Sequence, residues 1–334
     1  MKRVCVTGAT GYLGMALAWR LAVSGIVVHA LFRSKAKAAN LNHPNIRLVK
    51  GDILHPESLD KAVKDCDYLY HTAALTAIWS ENPSLFREVN VRGTKNILEK
   101  AVYWGIKKVV MTSTAGIYGP SLSCPVDEEC HRTTPCFTEY ERTKEEADSL
   151  ALGFSRKKGL DLVIVCPTRI YGPGPLVQSN SVTLMIDRYL QGKWHVLPGN
   201  GKSIGNYVYI DDVVNGQILA MEKGRAYEKY LLGGTNISYE DFFEVLKEVT
   251  QKRFALFKVP FFFMMSVAGV MTLYARLLRR VPMVTPQMMK KLHQNWMVSI
   301  QKAELELEYK PIPLKKGIQK TVDWLNLFPR GAIK

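Results

Sequence analysis

The sequence predicts an α/β protein, a doubly wound parallel sheet with a smaller lobe interleaved towards its C-terminal half. Three observations lead there. The apolar run Val4-Cys5-Val6 meets a three-glycine turn, Thr7-Gly8-Ala9-Thr10-Gly11-Tyr12-Leu13-Gly14, which opens onto an apolar-periodic segment reaching Leu21. Apolar runs then alternate with helical periods as far as Cys166, the pattern of a parallel sheet covered on both faces. At 334 residues the chain also exceeds the size at which one core usually stops growing, so a second lobe is expected.

The glycine turn reads as strand, tight turn, helix. Gly8 permits the turn, Gly11 lets backbone approach a pyrophosphate, and Gly14 lets the helix pack against the strand, with the helix N-terminus attracting the anion. Residues 26–32 form a second strand ended by Arg33-Ser34-Lys35-Ala36-Lys37, and residues 46–49 a third ended by Gly51-Asp52-Ile53. Residues 59–63 are helical in period, 68–71 form a strand running into Thr72-Ala73-Ala74, and 85–103 form a long amphipathic helix. A fifth strand at 108–111 ends in Thr112-Ser113-Thr114-Ala115-Gly116. After a turn-rich loop, residues 137–156 read as a helix and 160–166 as a sixth strand before Pro167.

The regular rhythm breaks at Gly172-Pro173-Gly174-Pro175. A helix near 182–191 and a glycine-rich segment at 198–205 begin the second lobe. Residues 207–210 and 230–232 look like short returns to the main sheet, and 239–250 form an amphipathic helix on the far side. The expected division is therefore residues 1–170 with 206–235 as the dinucleotide-binding domain, and 171–205 with 236–330 as the substrate lobe.

Composition narrows the function classes. With 47% hydrophobic and 22% charged residues the chain is globular. Its net charge of +15 favours anionic partners, yet the excess is spread and no long basic block carries aromatics, so a nucleic-acid groove is excluded. Six cysteines are sparse for this length, which fits a reducing compartment. Cys124, Cys130, His131 and Cys136 lack paired metal-ligand spacing, so no metal is expected. Met1-Lys2-Arg3 leads straight into strand and turn with no apolar leader core, so a cytoplasmic location is expected. Residues 257–281 are strongly apolar and then basic, ending Arg276-Leu277-Leu278-Arg279-Arg280. That stretch is too short to cross a bilayer, which leaves a buried helix, a pocket wall or a peripheral membrane contact.

The chemistry resides in Tyr140-Glu141-Arg142-Thr143-Lys144, where a spacing of four puts phenol and ammonium on one helix face. A free tyrosine titrates near pH ~10, so acid–base work at neutral pH calls for a nearby cation, and Lys144 supplies one. Thr114, on the preceding loop, is placed to hydrogen-bond a reacting oxygen.

With these residues in view the chain resembles the extended short-chain dehydrogenase/reductase family, nearest its dihydroflavonol reductase-like and 3β-hydroxysteroid dehydrogenase-like branch. The resemblance rests on the glycine turn, Gly51-Asp52-Ile53, His71-Thr72-Ala73-Ala74, Asn90-Val91-x-Gly93-Thr94, Thr112-Ser113-Thr114, Tyr140-x-x-x-Lys144, Pro167-Thr168-Arg169-Ile170-Tyr171-Gly172 and the segment 207–214. It implies a Rossmann cofactor domain, with Thr114, Tyr140 and Lys144 as the catalytic set. It implies cofactor contacts from Gly8, Thr10, Gly11, Tyr12, Leu13, Gly14, Asp52, Ile53, Thr72, Ala73, Ala74, Asn90, Thr112, Tyr140, Lys144, Pro167 and Ile170. A homodimer through the helices of 85–103 and 137–156 is implied as well.

Arg33 and Lys37 at the end of the second strand suit a ribose 2′-phosphate, so NADP(H) is favoured over NAD(H), which stays possible. The stretch Ser203-Ile204-Gly205-Asn206 lacks the arginine that nucleotide-sugar members tend to carry before this strand, and the aromatic and methionine-rich run at 257–280 suits an apolar ligand. The expected function is reversible hydride transfer between NADP(H) and a secondary alcohol on a sterol, polyketide or flavonoid-like, or long-chain acyl skeleton. The alternatives are a nucleotide-sugar epimerase or dehydratase and a non-catalytic NADP-binding redox sensor.

Overall fold

The computed structural model describes residues 3–77, 79–278, 282 and 284–328. Strand β1 (Arg3–Thr7) leads through the glycine turn to helix α1 (Tyr12–Val23), and β2 (Val27–Phe32), the short helix α2 (Lys35–Ala38) and β3 (Ile46–Lys50) follow. Helix α3 (Asp60–Val63) leads to β4 (Tyr68–His71), then α4 (Ser84–Arg87) and α5 (Gly93–Tyr103), joined by a π-helical turn over Glu88–Arg92. β5 (Lys108–Thr112), the 20-residue helix α6 (Glu139–Lys158) and β6 (Asp161–Pro167) complete the first half. The apolar runs of β1, β2, β4, β5 and β6 are buried on both faces, as the centre of a parallel sheet requires, while the edge strand β3 is largely exposed.

The main sheet has seven strands in the order β10-β6-β5-β4-β1-β2-β3, where β10 is Lys229–Leu232, and all its pairings are parallel. Strand order reverses between β1 and β4, so their C-terminal ends frame a crevice. One apolar layer, including Ile97, Leu98, Ala147 and Ala151, covers one face. Another, including Leu17, Leu21, Val213 and Val214, covers the other.

The second lobe starts at β7 (Arg169–Tyr171), followed by α7 (Ser181–Leu190), β8 (Val196–Pro198) and β9 (Ile204–Tyr209). Helix α8 (Ile210–Lys223) returns the chain to the main sheet at β10, and β11 (Thr235–Ser238) leads out again to α9 (Tyr239–Thr250). The strand at 207–210 corrects the expectation. It belongs to β9, the middle of a separate three-stranded sheet, parallel to β7 and antiparallel to β11. The outer edge of β6 is already taken by β10, from Lys229 opposite Ile164 to Leu232 opposite Pro167, so β9 has no place beside it. An aromatic core of Tyr171, Tyr189, Tyr207, Phe242 and Phe243 holds this lobe together.

The apolar run at 257–281 resolves into β12 (Phe257–Val259), paired with β8, and α10 (Phe261–Leu277). Arg279, Arg280 and Val281 lie outside the described residues. Helices α11 (Pro286–Leu292), α12 (Gln301–Leu307) and α13 (Leu314–Leu327) finish the chain. No helix among the described residues is long and apolar enough to cross a membrane.

Candidate active site

Gly8 holds φ at +69°, a left-handed value that side chains resist, and a Cβ there would fall 2.6 Å from the Ala73 nitrogen. Gly11 caps α1 with no side chain, and its carbonyl accepts from the Met15 N–H at 2.9 Å. A Cβ at Gly14 would collide with the Gly8 carbonyl and the Thr72 hydroxyl. The three glycines thus bring α1 hard against β1 and β4, while the first turn of α1 carries no acidic side chain and leaves its N–H groups open to an anion.

That helix end opens into a cleft of about 470 Å³. Gly8, Thr10, Gly11, Tyr12, Leu13 and Gly14 line its middle with Thr72, Ala73 and Ala74. Arg33, Lys37, Asp52 and Ile53 stand where β2 and β3 end, and Thr112, Thr114, Tyr140, Pro167 and Ile170 where β5 and β6 end. A long, glycine-floored cleft with cations at one extremity fits a dinucleotide.

Helix α6 carries Tyr140 and Lys144, the pair expected to do the acid–base work. Thr138 caps it by accepting from the Glu141 N–H at 3.2 Å, which fixes the first turn that holds Tyr140. Tyr140, Lys144 and Asp148 follow at intervals of four, on one face. The Tyr140 phenol meets the Thr114 hydroxyl, while burial pushes its pKa well above the usual phenol range, the larger influence of the two. Lys144 is almost fully buried and donates from Nζ to the Thr112 carbonyl at 2.7 Å. Burial holds its pKa below the usual ammonium value, and the carboxylate of Asp148 works against that. Burial is the largest influence on the Tyr140 phenol, and the Lys144 ammonium is anchored on the Thr112 carbonyl.

Ser113 is turned away from Tyr140 and donates to Asp148 Oδ2 at 2.8 Å, which leaves Thr114 as the hydroxyl beside the phenol. Asp148 is fully buried, also lies 3.3 Å from Lys229 Nζ of β10, and is pushed up in pKa by burial. No local signal in the sequence links residue 229 to 148; only the sheet joins them.

Two of the expected cofactor contacts, Lys144 and Asn90, do not line the cleft. Asn90 is turned elsewhere. Its amide donates to Thr143 Oγ1 at 3.0 Å and its carbonyl oxygen accepts from the Leu75 N–H at 2.8 Å, so it braces the loop after β4 against α6. The π-helical turn in which it sits rotates it inward. Glu141, fully buried beside Tyr140, accepts from Arg132 Nη2 at 3.0 Å and from Lys291 Nζ of α11 at 2.7 Å.

A second cavity of about 100 Å³ adjoins the cleft at Thr114 and is bounded by Thr168, Arg169, Asn206, Lys291, Trp296 and Val298, among others. Among the described side chains of 257–278, none lines either cavity, so the pocket-wall reading finds no support there. In α10, Ala268 and Ala275 face inward, whereas Phe262, Phe263, Val270, Leu273, Tyr274 and Leu277 are exposed. The sequence pattern could not give this, because both faces of the helix are apolar. Arg169, missed as a site residue, stands one residue past the Pro167-Thr168 exit from the main sheet.

The sequence model of the NAD dependent epimerase/dehydratase family matches residues 4–233, which span the glycine turn, Tyr140, Lys144 and β10. The chain belongs to this family. It is 29% identical over 334 residues to sterol demethylase protein B of Methylococcus capsulatus, covering 98% of this chain and 99% of that one. It is 30% identical over 263 residues to a 4-hydroxy-2-methyl-3-oxo-4-farnesyl-3,4-dihydroquinoline-1-oxide ketoreductase of Stigmatella aurantiaca, covering 78% and 76% of the two chains. The crystal structure of gox2253 superposes with a TM-score of 0.82 at 29% identity, over the whole of both chains. As a family member the protein is an NAD(P)-dependent oxidoreductase of the extended short-chain type.

Proposed function

We propose that this family member interconverts a ketone and a secondary alcohol on an apolar substrate, using NADP(H), with Tyr140 as proton donor and acceptor. The observation that carries the reading is the pairing of the Tyr140 phenol with Thr114, which lines both the long cleft and the small cavity. A nicotinamide bound in the cleft would supply or accept the hydride. Tyr140 gives its proton to the carbonyl oxygen as the carbinol forms and recovers it in the reverse direction. Thr114 orients that oxygen. Lys144, anchored on Thr112, keeps two N–H bonds for the nicotinamide ribose.

Arg33 and Lys37 at the β2 end support a 2′-phosphate and hence NADP(H). Trp296, Val126 and Val298 around the small cavity support an apolar skeleton, as do the sterol and farnesyl groups in the names of two relatives. NADPH consumption with medium-chain and polycyclic ketones tests the reaction. Turnover of such ketones is expected, with kcat falling about 10²–10⁴-fold in Tyr140→Phe while NADPH binding persists. Micromolar affinity for UDP- or dTDP-sugars without ketone turnover would support the epimerase alternative. A wild-type protein that binds NADPH and turns over nothing would be a sensor.

The protein acts at a membrane surface through the outward face of α10. That face is apolar, and residues 251–303 hold nine lysines and arginines and no aspartate or glutamate, so the basic excess is concentrated here rather than spread. An anionic bilayer complements both properties, whereas a second copy would bring like charge against like. The six free thiols support a cytoplasmic setting. A homodimer through the faces of α5 and α6 would appear in light scattering at twice 37.7 kDa.

A further inference from the structure

Arg169 leaves β7 where the chain passes from the main sheet to the second lobe. Its guanidinium rests on the bare backbone of Gly205, where a Cβ would fall 2.5 Å from Nη1. The rings of Tyr207 and Tyr239 flank it, each with its centroid 5.5 Å from Cζ. Nη1 donates to the Tyr239 hydroxyl at 2.8 Å and to the Tyr207 hydroxyl at 3.2 Å. Both acceptors are phenols, and burial keeps that of Tyr207 protonated.

No carboxylate lies within ion-pair distance of Arg169 among the described residues, and its Nε and Nη2 donate to no protein acceptor there. Arg169 is half-buried, and a guanidinium withdrawn from water ordinarily has an anionic partner. This one is positioned by a glycine and two tyrosines, and the residue lines both the cleft and the small cavity beside Thr114. The small cavity has no Asp or Glu in its lining, and its second cation, Lys291, is already paired with Glu141. The cleft's single carboxylate, Asp52, belongs to the β3 end.

We propose that Arg169 is an anion subsite for the substrate, which carries a carboxylate or phosphate inside the same small cavity as its reacting oxygen. The occupant is then an amphiphile, an apolar skeleton with an acidic group close to the carbonyl. This deepens the substrate class of the proposed oxidoreductase and rests on that reading for the identity of the reacting oxygen. It also qualifies the arginine missing from 203–206: the bare Gly205 of β9 makes room for a cation from β7.

The test is calorimetric titration, in saturating NADP⁺, of wild type, Arg169→Met and Arg169→Lys with decanoate, decyl phosphate, decanol and UDP-glucose. Wild type is expected to bind the two chain anions at least tenfold more tightly than decanol. Arg169→Met should bring them down to decanol's affinity, leave decanol within about twofold and leave NADP⁺ affinity unchanged. Arg169→Lys keeps the charge and should recover part of the preference. Equal binding of decanol and decanoate by wild type would overturn the proposal, as would a Met variant that loses all ligands alike or loses NADP⁺ alone. Tight, Arg169-dependent binding of UDP-glucose with no preference for decanoate would keep the anion subsite and overturn the amphiphile. Decanoate preference without turnover of any ketone would overturn the proposed reaction and leave the subsite standing.

Discussion

Arg33 shows how little holds in place the residue proposed to select the cofactor. Its side chain is largely in solvent, and its only ion-pair partner among the described residues, Asp52, is 3.6 Å away. An exposed pair of that kind contributes under about 1 kcal/mol, so the guanidinium can turn to a phosphate at small cost. A charge-assisted contact to a 2′-phosphate contributes about 1.5–3 kcal/mol, or roughly 10–100-fold in affinity. Arg33→Ser should therefore raise KM for NADPH by about tenfold or more and leave KM for NADH within about twofold. Initial rates with both cofactors check this, and an equal rise for both would remove Arg33 from cofactor choice. Tyr140 is the opposite case. Its chemistry depends on burial, and no spacing rule in the sequence could weigh burial against the ammonium of Lys144.

At the scale of elements, α6 and α10 divide the labour. Helix α6 earns its position through a capped first turn and a buried face of Thr143, Lys144, Ala147, Asp148 and Ala151 against the sheet. Helix α10 is apolar all round, yet only one side is covered, and Phe262 is 82% exposed. Placing two such rings in a lipid interface is worth about 1.5–3 kcal/mol each by area. The double substitution Phe262→Asp with Phe263→Asp should reduce sedimentation with phosphatidylglycerol vesicles at least tenfold. Thermal melting should move by no more than a few degrees, because both side chains already face water. Unchanged sedimentation would return α10 to an ordinary surface helix. The legibility of these elements follows from range: α6 has local caps and a polar outer face, whereas the outward side of α10 depends on which neighbours pack against it.

For the whole molecule, His71 ties the sheet to its helical layer. Nε2 meets Thr94 Oγ1 of α5 at 3.0 Å, and Nδ1 meets Thr7 Oγ1 of β1 at 2.8 Å. The Thr94 hydroxyl donates to the Asn90 carbonyl at 2.6 Å, so it accepts from His71, and the imidazole proton sits on Nε2. Burial, with the charge of Lys144 adding to it, pushes the pKa of His71 down to about 3. The unfolded chain protonates near pH 6.5 and the folded one only near 3. Folding stability from this group is thus complete above 6.5 and declines as pH falls through that window, by up to about 1.4 kcal/mol per pH unit. The stability advantage of wild type over His71→Asn should shrink by about 1 kcal/mol between pH 6.5 and 5.5 in urea unfolding. A constant difference would place the histidine's charge outside the folding balance.

By itself the sequence determined the first six strands of the main sheet, the glycine turn, and the spacing of Tyr140 and Lys144 after Thr114. Each is written in a contiguous run of residues, where backbone freedom, periodicity and helix pitch act locally. Only the tertiary structure decided that β9 leaves the main sheet, because another strand already held the edge it would need. It also decided that Asp148 meets Lys229, that Tyr140 is buried, that α10 turns an apolar face outward, and that Arg169, with no ion-pair partner among the described residues, lies beside Thr114. Those outcomes depend on desolvation and on partners far away in the chain, which no local pattern records.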